Sequence, residues 1–204
     1  MSALATLGRG WADPVHGAQQ VFRTVLEALS RPGRVQTLPA TALQGLEPPA
    51  LGLGLAATLL TLLDAETSVW LDPAAGCDGA ADWLRFHTGV RLQADAATAR
   101  FAVTHAAQAQ PCLWATLDGG TDELPQAGAT LLVGVPALDR GPALTLSGPG
   151  IQHRQTLQVA GLPPGFWAAR QALAPGFPRG VDLILCCGDR LAGLPRSTRL
   201  HEEG

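Results

Sequence analysis

Arg85, His87 and Thr88 stand together in LRFHTGV, Arg179 and Asp182 in FPRGVDLIL, and Arg196 in LPRST, and these are the groupings whose side chains could do chemistry. A guanidinium presents a planar fork of donors that matches the oxygens of a carboxylate, phosphate or phosphonate, and an adjacent imidazole adds a titratable donor. Arg85, His87, Arg179 and Arg196 are therefore the candidate ligand contacts. Each also has a purely structural reading. Arg85 and His87 fall at the end of an expected helix, whose negative pole favours cations, while Arg179, Asp182 and Arg196 can pair with one another or with a neighbouring chain. The GPG turn at 148–150 has two readings as well, simple turn chemistry or ligand contact.

Other chemistries are excluded by residue type. All 14 basic residues are arginine, so there is no lysine for a Schiff base, for the internal aldimine of a pyridoxal-phosphate (PLP) enzyme or for a P-loop. Tyrosine is absent too, which leaves acid-base work to five histidines, the carboxylates or a cysteine. His16, His87, His105, His153 and His201 are far apart, with no HxH or HExxH pairing, and no GxSxG elbow occurs. Cys77, Cys112, Cys186 and Cys187 lack CxxC spacing and read as small apolar side chains in a reducing compartment. Cys186 and Cys187 sit in an expected strand, where neighbours point to opposite faces, so they do not share a metal. No catalytic residue, metal site or cofactor is expected from these patterns.

The elements that would position these residues belong to one domain spanning 1–204. A chain of 204 residues that is 47 % hydrophobic builds a substantial core, and 15 % charged residues with a net charge of -3 fit neither a disordered chain nor a nucleic-acid binder. The opening MSALATLGRGWADP has no basic start followed by an apolar stretch, so the cytoplasm is the expected location. The apolar run at 50–63 falls short of the roughly 20 residues that span a bilayer, and no membrane contact is expected.

Asp13-Pro14 signals a helix start, and Val15, Ala18, Phe22, Val25 and Leu29, widened by Val21 and Leu26, form its apolar stripe up to SRPG. A short strand is expected at 35–38. Pro48-Pro49 is expected to open an apolar helix reaching Leu63, either central or at an interface. Strands follow at SVWL (68–71) and FAVT (101–104), with a helix over 79–87 and a short one over 111–117. GATLLVGV reads as a buried strand, PALTLS as its neighbour and 153–159 as the third piece of a meander. Pro163-Pro164 opens a last helix to about Ala174, and VDLILCC turns back through Gly188-Asp189 into a hairpin. The sum is an α/β domain, a mixed sheet flanked by helices, without strict doubly wound alternation.

In order and spacing, several stretches together resemble the H subunit of the bacterial phosphonate carbon-phosphorus lyase core complex. They are DPVHGAQQVFRTVLEALSRPG (13–33), TLLTLLDAETSVWL (58–71), LRFHTGV (84–90), FAVT (101–104), GATLLVGV (128–135), LSGPGI (146–151) and FPRGVDLILCCGDRLAGLPRST (177–198). The resemblance implies a fold like the large domain of PLP-dependent transferases without PLP. It implies assembly with the G, I and J subunits, functional dependence on the ATPase-like L subunit, and a homodimer when the chain is isolated. The implied reaction attaches an alkylphosphonate to the ribose carbon of ATP with loss of adenine, giving alpha-D-ribose 1-methylphosphonate 5-triphosphate. The family assigns that chemistry to I, and the radical cleavage to J with its iron-sulfur cluster, whose ligands Cys186 and Cys187 do not resemble. No catalytic residue carries over. Two expectations result: a noncatalytic subunit whose apolar interface includes 50–63, or a subunit that holds phosphonate or nucleotide through Arg85, His87, Arg179 or Arg196. A third, a stand-alone hydrolase or transferase, would need a cysteine or histidine nucleophile.

Overall fold

The computed structural model describes residues 7–75 and 79–201, so the expectation of a buried Cys77 lies outside the described residues. Asp13 caps the first helix, α1 (Pro14–Ser30): its carboxylate accepts from the His16 amide at 3.1 Å, and Pro14 takes a position where no amide proton is needed. The stripe expected from spacing is displaced around this helix. Gly17, Val21, Val25 and Ala28 face the core, whereas Val15, Phe22 and Leu26 are 63 %, 46 % and 50 % exposed. Small residues decide the choice. The Ala28 backbone lies so close to the sheet that a Cβ on Gly193 would come within 2.9 Å of it, an approach the bulkier Val15–Phe22–Leu26 stripe does not allow.

After the two-residue β1 (Gln36–Thr37) comes a single helical turn, α2 (Ala40–Leu43), that spacing did not reveal. The apolar helix α3 (Leu53–Leu62) starts at a Gly52 cap, later than Pro48-Pro49 suggested. The two prolines hold an irregular segment in which Ala50 takes a φ of 52°. Residues 54–59 of α3 are buried, so most of the helix is central to the domain, while Leu53 is exposed and residues 60–62 are half-buried.

The strands β2 (Ser68–Leu71), β3 (Arg91–Leu92), β4 (Phe101–His105), β5 (Thr130–Gly134), β8 (Asp182–Cys187) and β9 (Arg190–Leu194) join β1 in a seven-stranded sheet of order β1-β9-β8-β5-β4-β2-β3. The run from β8 to β3 is parallel, and β9 lies antiparallel to both β8 and β1. Both faces of this sheet are covered, so its central strands are apolar throughout. Leu132, Val103 and Ile184 pack with α1, α3 and α4 (Ala80–Thr88), while Leu131, Val133 and Leu183 pack with α5 (Leu113–Thr116) and α6 (Phe166–Ala172). Trp83 anchors the first layer, and Trp114 against Phe166, with ring centroids 5.2 Å apart, anchors the second.

PALTLS is not the neighbour of β5. It forms β6 (Ala143–Ser147), which pairs with β7 (Gln155–Gln158) and β10 (Arg199–His201) in a separate antiparallel sheet of order β10-β6-β7. Both edges of β5 are already occupied by β4 and β8, and β6 alternates buried leucines with more exposed residues as a one-faced strand must. Among the described residues no helix is long and apolar enough to cross a membrane.

Candidate functional site

The β8–β9 hairpin builds the first candidate. Gly188 adopts a φ of 60° at the tight turn, which sets a register that pairs Leu183 with Leu194. Just beyond that pair, Asp182 meets Arg196. The Arg196 amide donates to Asp182 Oδ1 at 2.7 Å, its Nε to the same oxygen at 3.2 Å and Nη2 to Oδ2 at 2.7 Å, while Nη1 donates to the Pro125 carbonyl. Each nitrogen of this guanidinium is therefore engaged, and the expected pairing of Arg196 with Asp182 is what the fold makes.

Behind the pair lies Arg170, on the core face of α6 one turn after Phe166 and only 6 % exposed. Its guanidinium donates to the carbonyls of Thr198, Leu194 and Pro195 at 3.1, 3.3 and 2.8 Å, while its Nε has no partner. Burial lowers its pKa to about 10, against the opposing pull of Asp182, so it stays charged at neutral pH. Sequence reading misses Arg170; its four-residue spacing from a core phenylalanine is the available signal.

Arg179 is exposed and pairs with Asp122 at 3.2 Å. It borders a cavity of about 320 Å³ between α5 and α6. A neighbouring cavity of about 360 Å³ is bounded by Ser147, Gly148 and Pro149, by Phe177, and by Arg196, Ser197 and Arg199. The GPG turn thus lines a hollow next to the arginines. At its edge Ser147 Oγ and His201 Nε2 are 2.7 Å apart, and among the described residues no carboxylate orients that imidazole.

Arg85 and His87 do not join this corner. They belong to α4, in the other layer, where Arg85 is exposed at 3.7 Å from Asp82. His87 Nε2 lies 3.2 Å from the Gly8 carbonyl, which also accepts from Trp83 Nε1 at 2.8 Å, and the ring sits edge-on to Trp83 and Phe86. This imidazole fastens the segment before α1 to α4.

A third location is the carboxyl end of the parallel strands. There His105, Gly134, Cys186 and the start of α3 border a cavity of about 280 Å³. Beside it the Thr104 hydroxyl donates to the buried Asp72 carboxylate at 2.7 Å. Burial pushes the Cys186 thiol up to about 12, partly opposed by a hydrogen bond with Thr58, so it is no nucleophile at neutral pH. Iodoacetamide on the native protein should therefore label exposed Cys112 and leave Cys186 unmodified until denaturant is added, as peptide mass mapping would read. Equal labelling of both in the native state would disprove the burial. Among the described residues no three His, Cys, Asp or Glu side chains converge as metal ligands would.

Residues 9–201 match the model of the bacterial phosphonate metabolism protein family PhnH. The chain is 40 % identical to the alpha-D-ribose 1-methylphosphonate 5-triphosphate synthase subunit PhnH of Rhizobium meliloti, across 95 % of this chain and 94 % of that protein. It is 39 % identical to the putative C-P lyase subunit protein HtxG of Stutzerimonas stutzeri, across 96 % of this chain and 91 % of the relative. A match over nearly the whole length, through both sheets and every helix described above, leaves one assignment: the chain belongs to the PhnH family of bacterial phosphonate metabolism proteins.

Proposed function

We propose that this chain is a noncatalytic subunit of the carbon-phosphorus lyase complex, required with partner subunits to make alpha-D-ribose 1-methylphosphonate 5-triphosphate from ATP and an alkylphosphonate. The observation that carries the reading is the 40 % identity, over 95 % of the chain, to a relative bearing that subunit's name. Its partners in this reading are the G, I and J subunits and, functionally, the ATPase-like L subunit, all in the cytoplasm. The isolated chain is a homodimer, and J takes the place of the second copy in the complex. The fold is that of the large domain of PLP-dependent transferases without PLP. Supporting this are the five parallel strands with antiparallel β9 beside them and a sequence with no lysine to hold the cofactor.

The face that meets a partner is the outer stripe of α1. At roughly 100° per residue, Val15, Phe22 and Leu26 point the same way, and all three are exposed although their chemistry favours burial. From α3, Leu60 adds to this face, since it borders the same surface hollow as Val15 and Ala18. Co-expression of the chain with G, I and J, followed by size-exclusion chromatography with light scattering, tests the proposal. A homodimer that exchanges into a stable heteromeric complex is expected; a chain that never joins the complex ends the subunit reading.

A second reading, a subunit that also holds phosphonate or nucleotide, is favoured by the arginine corner. Of the four candidates from sequence, Arg85 and Arg179 make exposed ion pairs, weak enough for a ligand oxyanion to displace. Arg196 is committed to Asp182, and His87 to Gly8.

A further inference from the structure

The cavity between β6, β10 and the segment after α6 is lined by arginine and serine side chains together with an exposed phenylalanine. Arg196 and Arg199 line it, and Arg196 is shared with a small adjoining hollow lined by Arg170 and Arg179, so four guanidiniums gather at this corner against two carboxylates among the described residues, Asp182 on Arg196 and Asp122 on Arg179. Asp182 is spent on Arg196. Arg170 has only carbonyl partners, with its Nε unpaired, and Arg199 is exposed with no acidic partner among the described residues. The corner therefore carries uncompensated positive charge, part of it buried where water screens it least.

The shape of the cavity adds to this. The register of β10 against β6 pairs Arg199 with Ser147 across the ladder, so that guanidinium and hydroxyl open on the same hollow with Ser197 beside them. The rest of the lining includes apolar groups, Phe177, which is 63 % exposed, Pro149 and Ala174. A volume of about 360 Å³ suits a small organic molecule.

We propose that this cavity binds a small molecule bearing a phosphate or phosphonate group on an apolar or aromatic body. The guanidinium of Arg199 takes two oxygens of the anion side by side, the Ser197 hydroxyl donates to the remainder, as does that of Ser147 with His201 Nε2–H donating to its oxygen, and Phe177 covers the organic part. Arg170 and Arg196 act from behind, through charge. This deepens the binding reading above and moves it from the four residues chosen by sequence to Arg199, which lies one step beyond them.

Ligand-observed NMR titration of the full chain with inorganic phosphate and with phenylphosphonate tests the proposal. Saturable binding of phenylphosphonate is expected with Kd on the order of a millimolar or tighter, with phosphate weaker. Arg199→Ala should weaken both by about tenfold or more, since it removes charge-assisted hydrogen bonds. Phe177→Ala should erase the preference for phenylphosphonate and leave phosphate binding in place. Arg23→Ala, an exposed arginine on α1, should change neither. No saturable binding to wild type, an Arg199→Ala variant that binds like wild type, or equal weakening by Arg23→Ala would each overturn the site. Co-purification of Arg199→Ala with the partner subunits separates the two proposals: loss of binding with assembly intact concerns the cavity, whereas failure of wild type to assemble concerns the subunit reading alone.

Discussion

Phe22→Arg with Leu26→Arg should leave the isolated chain folded while weakening its capture by the partner subunits by roughly tenfold to hundredfold. Both side chains project from α1 away from the core and are about half exposed. Arginine is at least as good a helix former as phenylalanine, so the expected change in stability is within about 0.5 kcal/mol. In an interface the same two changes bury charge without a partner and remove apolar anchors, each worth about 2 kcal/mol when central. Tagged pull-down of co-expressed subunits reads the loss, and light scattering on the isolated variant shows whether self-association goes with it. A variant recovered in the complex at the wild-type level would show that the α1 stripe is not the contact. Val25→Ala, on the buried face of the same helix, should do the reverse, lowering stability by about 1 to 2 kcal/mol and leaving assembly unchanged at temperatures where the chain is folded.

Asp182→Ala is the substitution expected to destabilise the fold most among the polar residues. It removes the carboxylate that Arg196 holds through three donors and that also offsets the buried charge of Arg170. Breaking such a pair leaves a cation without compensation, at about 3 kcal/mol given that both partners are mostly buried. Arg196→Ala should be milder, because Asp182 keeps some access to water and still faces the charge of Arg170. The double variant should fall well short of the sum of the two, since the second change removes the group the first left unpaired. Urea unfolding monitored by tryptophan fluorescence measures all three. A loss below about 1 kcal/mol for Asp182→Ala would mean that water, rather than the pair, satisfies Arg196 in the folded chain.

Much of this arrangement is legible in the order of the residues. Asp13-Pro14 starts a helix whatever surrounds it, because the capping carboxylate and the missing proline amide act within one turn. Gly188-Asp189 makes the hairpin for a similar reason, and the hairpin in turn sets Asp182 against Arg196. The uninterrupted apolar run of β5 marks a strand buried on both faces. The start of α3 is ambiguous because two prolines are compatible both with a first helical turn and with the irregular loop that precedes one.

The site is less legible. Arg85, His87, Arg179 and Arg196 look alike as residues suited to anions, and spacing along the chain says nothing about which of them find carboxylates or carbonyls within the fold. Arg170 carries only its four-residue spacing from Phe166 in a short helix, and Arg199, which opens a three-residue strand, carries no local signal of its role.

Residue type and local spacing governed the absence of lysine chemistry, the helix caps, the tight turn and the identity of the strands, since these depend on groups a few residues apart. Strand order, the separate β10-β6-β7 sheet, the rotation of α1 that buries Gly17, Val21, Val25 and Ala28, and the meeting of Arg170 and Arg196 at Asp182 depended on packing between distant segments. Close approach there is limited by the size of side chains on both partners, as with Ala28 against Gly193, and no single segment carries that information.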